Sequence, residues 1–172
     1  TCIPAVQSTP SDPAEPVESA VDHHKENTMK NYEKTGKDPE RKNVHLIIGG
    51  AFQGKLQYAE TLYSKICWYD GAECQPEQLE KELTKIDGIV HFELLVRRWM
   101  EDGRETEELT GLLMNRRKGL VVLISDEIGY GLVPVDAFER KYREAHGRLM
   151  TDLAAQAQRV DRVVCGIGTR LR

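Results

Sequence analysis

The run Val44-His45-Leu46-Ile47-Ile48 closes on Gly49-Gly50 and is followed at short range by Gly54-Lys55. A nearly continuous apolar run of this length, bounded by glycine, suits a strand buried on both faces of a parallel sheet. From Gly49 to Lys55 the spacing is G-x-x-x-x-G-K, the pattern of a loop that cradles phosphate between a strand and a helix. Glycines let such a loop turn tightly and aim its N–H groups at phosphate oxygens. The helix that follows adds the positive end of its dipole. Gly49, Gly50, Ala51, Phe52, Gln53, Gly54, Lys55 and Leu56 are therefore the candidate nucleotide-binding residues. Lys55 is also a candidate catalytic residue, placed to reach the β- and γ-phosphates of ATP or GTP. One position departs from the pattern: Leu56 stands where a Ser or Thr hydroxyl would help hold Mg²⁺.

Leu120 to Ile124 is a second buried strand, and Ser125-Asp126-Glu127 closes it. An acidic residue at the carboxyl end of a strand beside a phosphate loop is where Mg²⁺ or its waters are held. Asp126 and Glu127 are the candidate metal residues, and Glu127 is a second catalytic candidate. A solvated acidic loop is the plainer alternative.

Between and beyond these strands the pattern is mostly helical. Leu56 to Lys65 reads as a helix, Asp70 to Gln75 as a loop, and Pro76 to Lys85 as a short polar helix with proline in its first turn. Asp87-Gly88 is a turn signal, and Ile89 to Phe92 fits either a short strand or a helix start. Phe92, Leu95, Val96, Trp99 and Met100 follow helical spacing, with Gly103 as terminator. Thr106 is the expected cap of a helix carrying Leu109, Leu112 and Leu113 inward and ending at Gly119. Asp136 with Glu139 makes a capping pattern for a long helix to about Arg159, and Arg162 to Cys165 reads as a last strand. This order predicts an α/β fold: a P-loop NTPase-like (RecA-like) parallel sheet flanked by helices, over residues 43–172.

Residues 1–42 read as a disordered tail. Pro4, Pro10, Pro13 and Pro16 sit among polar residues, and Lys30 to Lys42 is charged and almost free of apolar side chains, too little to offset ordering entropy. His23-His24 reads as a solvated pair, and Met29 as a candidate natural start. The net charge of −4 gives no reason to expect nucleic acid, and no apolar run approaches the roughly 20 residues of a membrane span. Cys2, Cys67, Cys74 and Cys165 are scattered without a C-x-x-C pair, which fits free thiols in the cytoplasm. His91, beside Phe92, reads as a core-edge residue. His146 has no evident partner, and Arg97-Arg98 and Arg116-Arg117-Lys118 read as solvated faces.

Three blocks resemble the bifunctional adenosylcobinamide kinase / adenosylcobinamide-phosphate guanylyltransferases of cobalamin (vitamin B12) biosynthesis. They are Leu46 to Ala51 with Gly54-Lys55, similar to the family's G-G-A-x-x-G-K-S loop; Ser125 to Pro134, like N-E-V-G-x-G-I-V-P; and the C-terminal half with Gly147-Arg148, Leu153-Ala154 and Val163 to Gly168. The resemblance implies a cytoplasmic kinase or transferase using ATP or GTP with Mg²⁺, a corrinoid (adenosylcobinamide) as substrate partner, and homo-oligomeric assembly. Two departures stand beside it. The family's Ser after the loop lysine is Leu56 here, and the histidine that accepts GMP in the family has no counterpart, since no histidine lies between Leu46 and Val90. A catalytically degenerate nucleotide- or corrinoid-binding relative is the alternative reading, and an unrelated small-molecule P-loop kinase a third.

Overall fold

The computed structural model describes residues 42–172 except 74, 117 and 118. Along them run β1 (Lys42–Gly49), α1 (Lys55–Leu62), β2 (Trp68–Asp70), α2 (Pro76–Glu82), β3 (Gly88–Val90), α3 (Phe92–Glu101), α4 (Thr106–Met114), β4 (Val121–Asp126), α5 (Ala137–Gln156), β5 (Ala157–Val164) and β6 (Ile167–Arg170). The strands form one sheet ordered β2-β3-β4-β1-β5-β6, parallel except for β6. This is the expected P-loop-like α/β architecture. The tail assigned to 1–42, with His23-His24 and Met29, lies outside the described residues but for Lys42, where β1 begins; so do Cys74, Arg117 and Lys118.

Strand alternation sorts the core into two layers. Val44, Leu46, Val121, Leu123 and Val160 face a large cluster built with Phe92, Leu95 and Trp99 of α3, Leu109 and Leu113 of α4, and Leu149 and Leu153 of α5. Ile47, Val122, Ile124 and Val163 face the other way, against Ala59 and Leu56 of α1. Helix α1 thus covers one face, above the strand that feeds it. Each large side chain buried here contributes about 1.5–3 kcal/mol of transfer free energy. Asp136 caps α5, accepting a hydrogen bond from Glu139 N at 2.9 Å, as its spacing predicts.

Three elements differ from the sequence reading. Trp68–Asp70, which straddles the expected loop, is an edge strand; three residues are too few to show a period. Gly88 opens β3 rather than a turn, because a side chain there would strike the Trp68 ring across the strand pair. Helix α5 passes into β5 with no loop between them, so the last parallel strand begins at Ala157, and Cys165-Gly166 then folds β6 back on it. Both turn residues have positive φ (50° and 77°), the geometry that matches the twist of a tight hairpin. Thr106 is the first helical residue of α4 and Glu105 its cap.

Two histidines are fully enclosed. On β1, His45 accepts a hydrogen bond from Tyr63 O–H at Nδ1 (2.7 Å), while its Nε2 stands 3.2 Å from Asp161 Oδ2. Asp161 in turn accepts from Tyr58 O–H (2.8 Å) and from the Arg159 guanidinium (2.6 Å). His146 Nε2 and Ser125 Oγ lie 3.1 Å apart, which supplies the partner that spacing along α5 could not. Burial pulls His45 down to about 4 against the attraction of Asp161, and burial alone pulls His146 to about 4. Unfolding returns both to about 6.5. Between those values the unfolded chain binds more protons, so stability falls as pH drops from about 6.5 toward 4. Each histidine accounts for up to about 3 kcal/mol of that loss. Urea unfolding at pH 7 and pH 5 should show a lower midpoint at pH 5, and His146→Gln should flatten that dependence; an unchanged slope would contradict the assignment.

Candidate functional site

The register of β1 on β4 sets Gly49 directly beside Asp126 at the carboxyl ends of the two strands. The loop that leaves Gly49 is held from outside by its carbonyls. Gly49 O accepts from Glu127 N (2.9 Å), Gln53 O from Gly166 N (2.8 Å), and Gly54 O from Tyr58 N (3.0 Å). The Gln53 side-chain oxygen also accepts from Cys165 N at 2.7 Å, so the β5–β6 turn is a brace for the loop. A planar trans peptide puts each carbonyl opposite the next N–H. The N–H groups of Gly50, Gly54 and Lys55 therefore point away from these contacts, and they are the donors a phosphate would meet. Phe52 and Gly54 take left-handed backbone (φ 57° and 79°), and Gly54 is the N-cap of α1. Gly49 is required by packing as well: a Cβ there would collide with the Val163 carbonyl oxygen.

Lys55 is almost enclosed (8% exposed); its Nζ donates to Gly50 O at 2.7 Å and pairs with the Asp126 carboxylate. The two candidates from distant parts of the sequence thus meet. Asp126 is tied further by its own N–H, which donates to Glu93 Oε2 at 2.9 Å. Glu93, in the first turn of α3, is buried, and burial holds its carboxyl above the usual range even though the Asp126 N–H opposes this.

Glu127 goes elsewhere. Alternation turns it toward the α5 face, where it pairs with Arg162 of β5 at 2.9 Å and lines a cavity of 340 Å³ with Asp126, Tyr130 and His146. The two acids, adjacent in sequence, share this cavity but take different cations, Asp126 pairing with Lys55 and Glu127 with Arg162. Leu56 packs into the layer between α1 and the sheet, giving that layer apolar contact where a hydroxyl would serve a metal. Among the described residues, no group of three or more His, Cys, Asp or Glu side chains is placed to hold a metal ion.

A cavity of 690 Å³ opens over the loop, lined by Gln53, Lys55, His91, Glu93, Asp126 and Tyr142 among others. Three of these, His91, Glu93 and Tyr142, are not among the sequence candidates for the site. Glu93 sits inside an amphipathic pattern that marks it as the polar face of α3, yet the first turn dips under the sheet end. His91, expected at the core edge, is 53% exposed and left-handed (φ 49°), with Nδ1 2.8 Å from Asp70 Oδ1. Arg97 keeps to a solvated face, 41% exposed and paired with Glu101 (3.0 Å) and Glu139 (2.6 Å), whereas Arg116 is drawn in to donate to the Ile86 carbonyl.

The sequence model of a family described as cobinamide kinase / cobinamide phosphate guanyltransferase matches residues 75–171, more than half of the chain. The chain belongs to this family. The match covers Asp126, Glu127, His91 and Glu93 and begins after the Gly49–Leu56 loop. Two proteins called "Bifunctional adenosylcobalamin biosynthesis protein CobU", from Escherichia coli K12 and Salmonella typhimurium LT2, are each 42% identical to this family member over 52 residues. That stretch is 30% of the chain and spans only 29% of each relative's length. No helix among the described residues is long and apolar enough to cross a membrane, and Cys67 and Cys165 are free thiols.

The bracing of the loop predicts a specific sensitivity. Gly49→Ala should destabilise the fold by about 1–3 kcal/mol, because its methyl group must displace backbone rather than a flexible side chain. Urea unfolding measures this, and a cost below about 0.5 kcal/mol would show that β1 and β5 tolerate separation at this point.

Proposed function

We propose that this chain is a nucleotide-dependent kinase of the corrinoid pathway, transferring the γ-phosphoryl group of ATP or GTP to a cobinamide such as adenosylcobinamide. The observation that carries the reading is Lys55 held against Asp126 beside a braced glycine loop, in a member of the cobinamide kinase family. Loop N–H groups receive the phosphate oxygens, and Lys55 exchanges its Gly50 and Asp126 partners for the β- and γ-phosphates. Such catalysis is mainly positioning and charge stabilisation, for which a nearly buried lysine is suited.

Mg²⁺ is implied by this chemistry, and the residues fit it: Asp126 is a carboxylate at the strand end facing the loop, and Mg²⁺ commonly takes one or two carboxylates, with phosphate oxygens and water completing its shell. Asp126 is the direct candidate, and Glu127, turned toward Arg162, supports the loop from behind through its N–H on Gly49 O. Held by Asp126, Mg²⁺ would supply positive charge against the charge that develops on the transferred phosphoryl group. The proposal stops short of guanylyl transfer, since no histidine lies between Leu46 and Val90 to match the one that accepts GMP in the family. Exposed Tyr130, Leu132, Val133 and Val135 form an apolar run that supports homo-oligomeric assembly, and we place the reaction in the cytoplasm.

Leu56 favours one second reading, a relative that binds nucleotide without turnover. Protein incubated with Mg²⁺, adenosylcobinamide and either ATP or GTP should yield the corrinoid phosphate and the nucleoside diphosphate, read by chromatography. Tight nucleotide binding without product, and with little dependence on EDTA, would replace the kinase by the binding protein.

A further inference from the structure

The Asp70–His91 pair beside the cavity has no part in the loop or its lysine. His91 stands at the junction of β3 and α3, where it caps α3 in left-handed backbone (φ 49°). Non-glycine residues are strained there, and such strain persists at sites where surrounding structure over-determines it. What holds it is visible. The His91 carbonyl accepts from Leu94 N (3.0 Å) and Leu95 N (3.2 Å), while Gly71 packs so closely that a Cβ on it would strike the His91 carbonyl. The ring is fixed by Asp70, whose Oδ1 is 2.8 Å from Nδ1 and also accepts from Ala72 N at 2.8 Å. Burial works against ionisation of Asp70, but the hydrogen bonds from His91 and Ala72 outweigh it and hold the carboxyl below its usual range. An ionised Asp70 accepts the hydrogen bond from Nδ1–H, so Nε2 carries the lone pair.

This imidazole is half exposed and lines the same cavity as Lys55 and Asp126. Other charged groups near the pair are Glu93 on α3 and Arg98 one turn further on. The geometry points to His91 as the general base for the acceptor hydroxyl, with Asp70 as its positioning residue; this rests on the kinase reading above. In the step, the acceptor oxygen forms a bond to the γ-phosphorus and the bond from that phosphorus to the β–γ bridging oxygen breaks. The hydroxyl proton passes to His91 Nε2, and the nucleoside diphosphate leaves with the bond's electron pair. The substrate side of the cavity is thereby assigned to the β2–β3 end of the sheet and the nucleotide side to the loop.

The left-handed backbone supplies a clean test. Glycine adopts φ near 49° without strain, so His91→Gly should fold at least as stably as the parent, checked by its melting temperature, while leaving a ring-sized gap. The variant should lose at least tenfold in kcat, with the nucleotide KM within twofold. Added imidazole should restore turnover, and ring-substituted imidazoles should restore it in order of their basicity. Asp70→Asn should lower kcat severalfold at unchanged nucleotide KM. A folded His91→Gly that turns over at the parental rate, or one whose loss imidazole does not repair, would overturn the base assignment while the kinase reading stood. Absence of corrinoid phosphate from the parent protein would remove the kinase reading and the base with it.

Discussion

The parallel pairing of β1 with β4 is the constraint from which the rest follows. Its register sets Gly49 beside Asp126, and alternation then decides what each neighbouring side chain can do. Asp126 turns to the α1 face and meets Lys55, while Ser125 and Glu127 turn to the α5 face and meet His146 and Arg162. A one-residue slip would exchange these roles, and it would also drive the two apolar faces of both strands to the wrong layers. Core packing and site geometry are thus fixed by one choice.

The loop is braced where its carbonyls meet the rest of the protein. Contacts to Glu127 N, Gly166 N and Tyr58 N orient the peptides outward, and the β5–β6 turn supplies one of them, so the antiparallel edge strand supports the site although it carries none of its chemistry. Leu56 belongs to the same economy of space: it fills the layer under α1, leaving Asp126 as the strand-end carboxylate that faces the loop.

Much of this was legible in the sequence. The two apolar runs announced β1 and β4, the glycine spacing announced the loop, and Asp136 with Glu139 announced α5. The meeting of Lys55 with Asp126 follows from placing the glycine loop and Asp126 at the carboxyl ends of neighbouring parallel strands. What could not be read has physical causes. Trp68–Asp70 is too short to show alternation, and β5 follows α5 without a punctuating loop. The divergence of Asp126 and Glu127 depends on which face each takes, which composition does not reveal. His91 looked apolar in its setting because Phe92 beside it is buried, but the left-handed turn at His91 sends its own ring the other way, to Asp70 and the cavity.

On the reading proposed above, Lys55, held by Asp126, is the phosphate-binding lysine of this chain. Calorimetric titration of the parent and of Lys55→Met with ATP and with GTP in Mg²⁺ tests it most directly. The parent should bind at least one nucleotide, and a variant that remains folded should lose tenfold or more in affinity, about 1.4 kcal/mol. Equal affinity in the two proteins, or no nucleotide binding by the parent, would contradict it.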